Sequence, residues 1–459
     1  MSKAVEFDRS HLKQLAVLRP KVDLFNFNYL LIIAFAADLI TPLLISKNIL
    51  PASVRWLSQG LLLIVIALLY LRMMTFDQVP YAVWAIAGIS ALGIAAAFFH
   101  GQGLLETAWG WWKLFEFPLM GLYIYLSPTW SREFPDRLIR FLFWILGAEV
   151  VIQIVQFLTG EPIGDHLAGT FGRFGVGPLL ILIAFILCLA LGRWLASDRW
   201  KLVALVLGLG TISSILGSMR IFPLVVIAFG VFALVLYAMR TGRFFKLTLY
   251  AGALMAAMVL FGILYNQFVP SAKRIPFEDY LQLDTLNEIF SRYNRLDREA
   301  GESVDVGRNY ALAYGWQSIQ SDPVTFAIGL GIGARGESVT LGVAGVGFLE
   351  DTLGGQSRTS LLVIIQEMGM FGIMIILGFT FWTCSILYRD IKRFPNSNAK
   401  EIRYALLLFS LLWPLWLWYK TVLTFRIPML LYWVCLGYVL REALKRNPVM
   451  YLSEEDASV

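Results

Sequence analysis

Leu202-Val-Ala-Leu-Val-Leu-Gly-Leu-Gly-Thr-Ile-Ser-Ser-Ile-Leu-Gly-Ser-Met-Arg220-Ile-Phe-Pro-Leu-Val-Val-Ile-Ala-Phe-Gly-Val-Phe-Ala-Leu-Val-Leu-Tyr237 is an apolar run with one charge. As one unbroken helix its about 36 residues would extend roughly 54 Å. A bilayer's hydrocarbon core is about 30 Å thick. The stretch is therefore two helices, broken near Gly217-Ser-Met-Arg-Ile-Phe-Pro223, where glycine and proline end helices. Arg220 falls at the turn between them, at a membrane edge, where it either snorkels to the interface or points into an anion-binding cavity.

The same reasoning extends over the whole chain. Its 459 residues are 58% hydrophobic and 15% charged, a balance that soluble domains of this length do not show. Apolar runs recur at membrane-spanning length, and no strand-like alternation replaces them, so an outer-membrane barrel is excluded. The fold class expected is all-α: a polytopic membrane protein of about 12 transmembrane helices. The spans fall near residues 26–45, 57–71, 80–99, 107–126, 138–158, 176–191, 202–216, 222–237, 247–268, 359–387, 404–418 and 427–440. Residues 1–25 form a charged N-terminal segment without a cleavage signal, and 445–459 form a tail. Cys188, Cys384 and Cys435 each lie in an apolar run, with no spacing suited to a disulfide framework or a zinc site. No metal or cofactor is expected. Basic residues never form a basic aromatic face, so no nucleic-acid partner is expected either.

Basic residues set the expected orientation. With the N-terminus in the cytoplasm, the inner connections hold Arg132, Arg137 and Arg140; Arg193, Arg199 and Lys201; Arg240, Arg243 and Lys246. Further inner groups are Arg389, Lys392, Arg393, Lys400 and Arg403, then Arg441, Lys445 and Arg446. This positive-inside bias puts both termini in the cytoplasm and Arg220 outside. The long polar segment 269–358, between the membrane segments 26–268 and 359–444, is then extracytoplasmic, and any chemistry is expected there. It reads as two short helices. The first covers 278–298, with Leu283, Leu286, Phe290, Tyr293 and Leu296 as its apolar stripe, ended by Gly301. The second is capped by Ser303 or Asp305, runs to about Gln320, and stops at Asp322-Pro323.

Arg308 falls in the first turn of that second helix, where the dipole disfavours a cation. An anion bound by the free backbone N–H groups and the guanidinium would remove the conflict; pairing with Asp305 or Glu302 is the alternative. Gly329-Leu-Gly-Ile-Gly333 is no dinucleotide fingerprint, because no strand–helix unit surrounds it; it reads as a tight, mobile turn beside a substrate groove. Glu337, Glu350 and Asp351 are the candidate acids or bases. Within the span 107–126, Lys113 and Glu116 stand three residues apart and read as a mutually neutralising pair.

Four patterns in order resemble the O-antigen ligase and O-antigen polymerase superfamily of bacterial membrane glycosyltransferases. They are Gly169-Thr-Phe-Gly-Arg173; Ser218-Met-Arg220; Arg308-Asn-Tyr-Ala-Leu-Ala-Tyr-Gly-Trp316 with Asp322-Pro323 and Gly329–Gly333; and Ser360 followed by Gln366-Glu-Met-Gly-Met-Phe-Gly372. The resemblance covers about residue 169 to the C-terminus. It implies an undecaprenyl-diphosphate-linked glycan donor, a glycan or lipid-linked acceptor, metal-independent inverting transfer at the outer face of the bacterial inner membrane, and a possible chain-length regulator as partner. Carried over, it makes Arg220 and Arg308 the diphosphate-holding residues; Arg173, Arg335, Glu350 and Asp351 are further candidate substrate-binding residues. Ligases of the family carry a histidine near the start of the helix after the loop; here Arg358 stands at that place, which favours a polymerase-like member. The general base stays open between Glu350, Asp351 and a mechanism driven by the leaving group.

Overall fold

The computed structural model describes residues 28–73, 81–127, 133–173, 175–242, 244–269, 296–297, 305–306, 308–320, 322–338, 342–345, 359–394 and 399–446. Among these the chain is almost entirely helical. The first nine helices are α1 (Asn28–Ser46), α2 (Arg55–Met73), α3 (Tyr81–Phe99), α4 (Leu104–Leu126), α5 (Phe134–Leu158), α6 (Val176–Ser197), α7 (Lys201–Leu216), α8 (Phe222–Thr241) and α9 (Phe244–Phe268). Then come α10 (Arg308–Ile319), α11 (Pro323–Ile328), α12 (Ser360–Arg393), α13 (Lys400–Leu411), α14 (Trp413–Tyr419) and α15 (Arg426–Arg446).

Among the described residues the expected spans are helical except at Thr359 and Leu412, and the break inside 202–237 is where glycine and proline put it, between Leu216 and Phe222. Ser218 there takes a left-handed φ of 52°. Among the described residues eight helices are long and apolar enough to cross a membrane, or nine if the bent pair α13–α14 is one span. That pair corrects the expected single span 404–418: it bends by 52° at Leu412, where Pro414 supplies no backbone N–H. The outward faces are apolar; Trp144 is 80% exposed, Tyr81 77% and Phe381 76%. Such a surface belongs against lipid, and the chain is a membrane protein.

The core forms around α6. It is buried along nearly its whole length because it is apolar on every side, and α5, α7, α8, α13 and α15 pack around it. Small residues allow the closest crossings. A Cβ on Gly437 of α15 would come within 2.2 Å of the Gly121 carbonyl oxygen of α4.

The connections fall into two groups, one at each end of the bundle. At one end Lys47 pairs with Glu161 at 2.7 Å, Gly164 donates to the Leu216 carbonyl at 3.0 Å, and Ser360 donates to the Lys420 carbonyl at 3.0 Å. At the other, Arg193 reaches Asp136 at 3.2 Å and Glu401 at 3.7 Å, Arg240 reaches Asp198 at 3.8 Å, and Arg403 reaches Asp390 at 3.8 Å.

The long polar segment departs from its expected outline in two places. Leu296–Asp297 is a short strand, β1, paired antiparallel with β2 (Asp305–Val306), so a helix does not continue to Arg298. Asp305 lies in that ladder and does not cap α10, which starts at Arg308. Gly301, Ser303 and most of the expected first helix lie outside the described residues. Asp322 does end α10 as expected, and it also caps α11, accepting from the N–H groups of Val324 and Thr325, each at 2.9 Å.

Candidate functional site

Arg308 opens α10, and its guanidinium lies over the rings of Tyr419 (4.6 Å to the centroid) and Trp418 (5.9 Å). Trp418 Nε1 donates to Asn309 Oδ1 at 2.9 Å, which ties the helix start to the end of α14. The next residue, Lys420, has an extended backbone whose carbonyl receives the Ser360 N–H, while Ser360 Oγ accepts from Leu423 at 3.1 Å. Three elements from distant parts of the chain thus meet at the start of α10. Burial first, and then the neighbouring Arg308 charge, hold the Lys420 ammonium below the usual lysine range; Asp165 acts in the opposite sense.

Asp165 belongs to the connection between α5 and α6. Its neighbour Gly164 is bonded to Leu216, four residues before Arg220, and Arg220 is exposed in the α7–α8 turn. Arg173 closes the same connection and is exposed. It acts with His166 on Glu161, whose carboxyl lies below the usual range chiefly because Lys47 hydrogen-bonds and charge-pairs with it. Arg220, Arg308 and Arg173 therefore belong to one end of the bundle, joined by the 159–173 connection.

That connection is held from below by α5. Glu149, Gln153 and Gln156 stand on one helical face at spacings of four and three. Glu149 accepts from the Thr170 N–H at 2.8 Å and from its hydroxyl; Gln156 both accepts from and donates to Gly169, at 3.1 and 3.0 Å; Gln153 donates to the Leu167 carbonyl at 2.6 Å. The Gly169-Thr-Phe motif is thus a short 3-10 turn (Gly169–Phe171) bonded to a buried polar stripe.

Gly329–Gly333 is not a turn bordering a groove. It is a plug driven between α3, α4 and α12. Leu330 and Gly331 donate to the carbonyls of Gln366 and Glu367 at 2.8 and 3.0 Å, and Ile332 donates to Gly93 at 3.2 Å. A Cβ on Gly331 would lie 2.1 Å from the Ala97 nitrogen, and Gly331 has a φ of +95°, so both space and backbone demand glycine. Gly369 interrupts α12 with φ 57° and ψ −148° where α11 presses on it. Arg335 ends the plug, 3% exposed, with its N–H bonded to Glu367 Oε1 at 3.0 Å. The structure thus places Arg335 in packed interior.

A further ionic cluster was not anticipated as a unit. Arg426, at the start of α15, donates through Nε to both Asp38 oxygens at 2.9 Å and through Nη1 to Glu116 at 3.1 and 3.3 Å. Ser58 donates to Asp38 and completes a junction of α1, α2, α4 and α15. Glu116 thus has Arg426 as its hydrogen-bonded partner, in place of the expected Lys113, whose Nζ lies 5.0 Å from the Trp109 ring centroid. Lys113 still acts on Glu116 through space. Lone acids in apolar runs at 38 and 116 were the available signal.

Arg358, Glu350 and Asp351 lie outside the described residues. Among those described, no group of three or more His, Cys, Asp and Glu could hold a metal ion. No protein family matches the chain, and no curated protein matches it.

Proposed function

We propose that this protein is a membrane glycosyltransferase that polymerises or transfers undecaprenyl-diphosphate-linked glycans at the outer face of a bacterial inner membrane. The observation that carries the reading is the accumulation of like charge on Arg308 and Lys420 beside a helix N-terminus, with Arg220 and Arg173 at the same end of the bundle. Cations gathered at one end of the bundle attract an anion, and a diphosphate fits two guanidinium groups and a helix start. In this reading the chain makes twelve spans with both termini cytoplasmic, as the positive-inside bias requires. The donor's diphosphate lies on Arg308, Lys420 and Arg220, and Trp418 and Tyr419 keep the Arg308 guanidinium oriented.

The chemistry follows from that placement. An acceptor hydroxyl attacks the anomeric carbon from the face opposite the diphosphate. The glycosidic bond forms as the carbon–oxygen bond to the diphosphate breaks, and the anomeric configuration inverts. The arginines stabilise the charge developing on the departing undecaprenyl diphosphate, a role they fill without a metal. The acceptor proton passes to Glu350, Asp351 or the departing diphosphate, and Arg358 assists on the donor side. Purified protein given a labelled lipid-linked oligosaccharide should yield longer products, and Arg308→Ala and Arg220→Ala should abolish them. Unlengthened products from well-folded wild-type protein, or lengthening undiminished in both variants, would refute the reading.

One observation favours a second reading, a transporter of the same lipid-linked glycans. The Arg426–Asp38–Glu116 cluster places ionisable groups inside the bundle, as translocation paths do. In liposomes that reading requires the labelled lipid to change leaflet while its length stays constant.

A further inference from the structure

The end of the bundle opposite Arg308 holds a cavity of about 490 Å³ between α5, the end of α6 and the start of α7. Four cations line it: Arg140 from α5, Arg193 from α6, and Arg199 and Lys201 around the α6–α7 connection. Arg193 is matched by Asp136 and Glu401, and the one carboxylate in the wall, Asp198, is paired with Arg240 at 3.8 Å. Arg140 Nε donates to the Asp136 carbonyl at 3.2 Å, and Arg199 acts on Glu401 through space, yet among the described residues the lining cations together with Arg240 outnumber Asp136, Asp198 and Glu401, so the cavity carries surplus positive charge. α7 also begins here, behind Trp200, and no side chain caps its first N–H groups. The remaining wall is apolar, with Ile139, Phe143 and Leu202. Exposed Trp144 and Leu205, each one turn beyond Arg140 and Lys201, carry apolar surface outward from it along the packed helices α5 and α7.

We propose that this cavity binds the phosphate of an anionic phospholipid, with the acyl chains lying along α5 and α7. Arg140 and Lys201 grip the phosphate with Arg199, the free N–H groups at the start of α7 add partial positive charge, and the apolar wall receives the glycerol backbone. Phosphate chemistry suits a guanidinium, an ammonium and a helix start together. The outward apolar faces decide for a lipid over a free phosphate, since a soluble ion gains nothing from them. Basic pockets between membrane helices recognise anionic head groups by these same means. The site is independent of the glycan reading, as it lies at the other end of the bundle.

The test is native mass spectrometry of the purified full chain with dioleoyl phosphatidylglycerol and, separately, dioleoyl phosphatidylcholine. The wild type should retain phosphatidylglycerol in preference to phosphatidylcholine. Arg140→Gln/Lys201→Gln should weaken retention about five-fold for each charge removed. The charge-preserving Arg140→Lys/Lys201→Arg should retain the lipid, which separates lost recognition from lost folding. Arg389→Gln/Lys392→Gln, which removes equal charge from the same end outside the cavity, should leave retention unchanged. Equal retention of the two lipids, undiminished binding by the Gln pair, or an equal loss in the Arg389/Lys392 pair would overturn the proposal. Inorganic phosphate alone should not compete with phosphatidylglycerol; competition would overturn the lipid assignment.

Discussion

Lys420 and Arg426 stand six residues apart in sequence and are built in opposite ways. Arg426 lies between two carboxylates that reach it at 2.9 and 3.1 Å, so its charge is met within the protein. Lys420 lies beside another cation, Arg308, with Asp165 acting in the opposite sense. A buried charge can be tolerated in either of two ways: by a partner in the chain, or by one that arrives from solution. The first kind is structural. The second is what the proposed diphosphate site requires.

The largest effect expected is on the structural side. Arg426→Met leaves Asp38 and Glu116 buried with one partner removed, and should cost about 3–5 kcal/mol of stability, seen as a much lower melting temperature in detergent. A melting temperature within a degree or two of wild type would erase the distinction. Next, Arg308→Ala should lower the transfer rate by about a hundred-fold or more while leaving the melting temperature nearly unchanged. Loss of both together would move Arg308 into the structural class.

Lys420 sharpens the comparison through pH. Its folded-state ammonium titrates lower than in the unfolded chain, so between the two values the unfolded chain binds more protons. Stability should therefore rise with pH across that window. Binding of an anion needs the protonated form, so donor affinity should fall over the same range. The two curves, from thermal melts and donor-binding titrations, should slope in opposite directions; Lys420→Met should flatten both. The smallest effect belongs to Lys47→Gln, because the Lys47–Glu161 pair is 43% and 32% exposed and is worth less than about 1 kcal/mol. A chemical-denaturation shift well beyond that would give this surface pair a larger role.

These differences also explain what could be read from the residues alone. Helices were legible because apolar length is a local property, and the break after Leu216 was legible because Gly217 and Pro223 bracket it. The position of Arg308 was legible for the same reason: β2, α10 and Asp322 follow one another within a short stretch. Partners distant in the chain were not. Lys113 stood nearest to Glu116 in sequence, whereas the guanidinium that hydrogen-bonds Glu116 comes from 310 residues away. Lys420 gave no signal, since its meaning depends on Arg308 arriving from another segment. The bend at Leu412 was hidden by unbroken hydropathy despite Pro414. Gly329–Gly333 looked like a free turn because the surfaces that receive it, Gly93, Ala97 and Gly110, belong to helices made much earlier.

That order of synthesis has a consequence of its own. Chains are made from the N-terminus, and α3 and α4 are complete long before residues 329–335 emerge from the ribosome. The surface that includes Gly93 and Gly110 is therefore made before the residues that cover it. When the plug seats, its bonds to Gln366 and Glu367 link α12 to α3 and α4, so one part of the C-terminal half is registered against the N-terminal helices through backbone contacts.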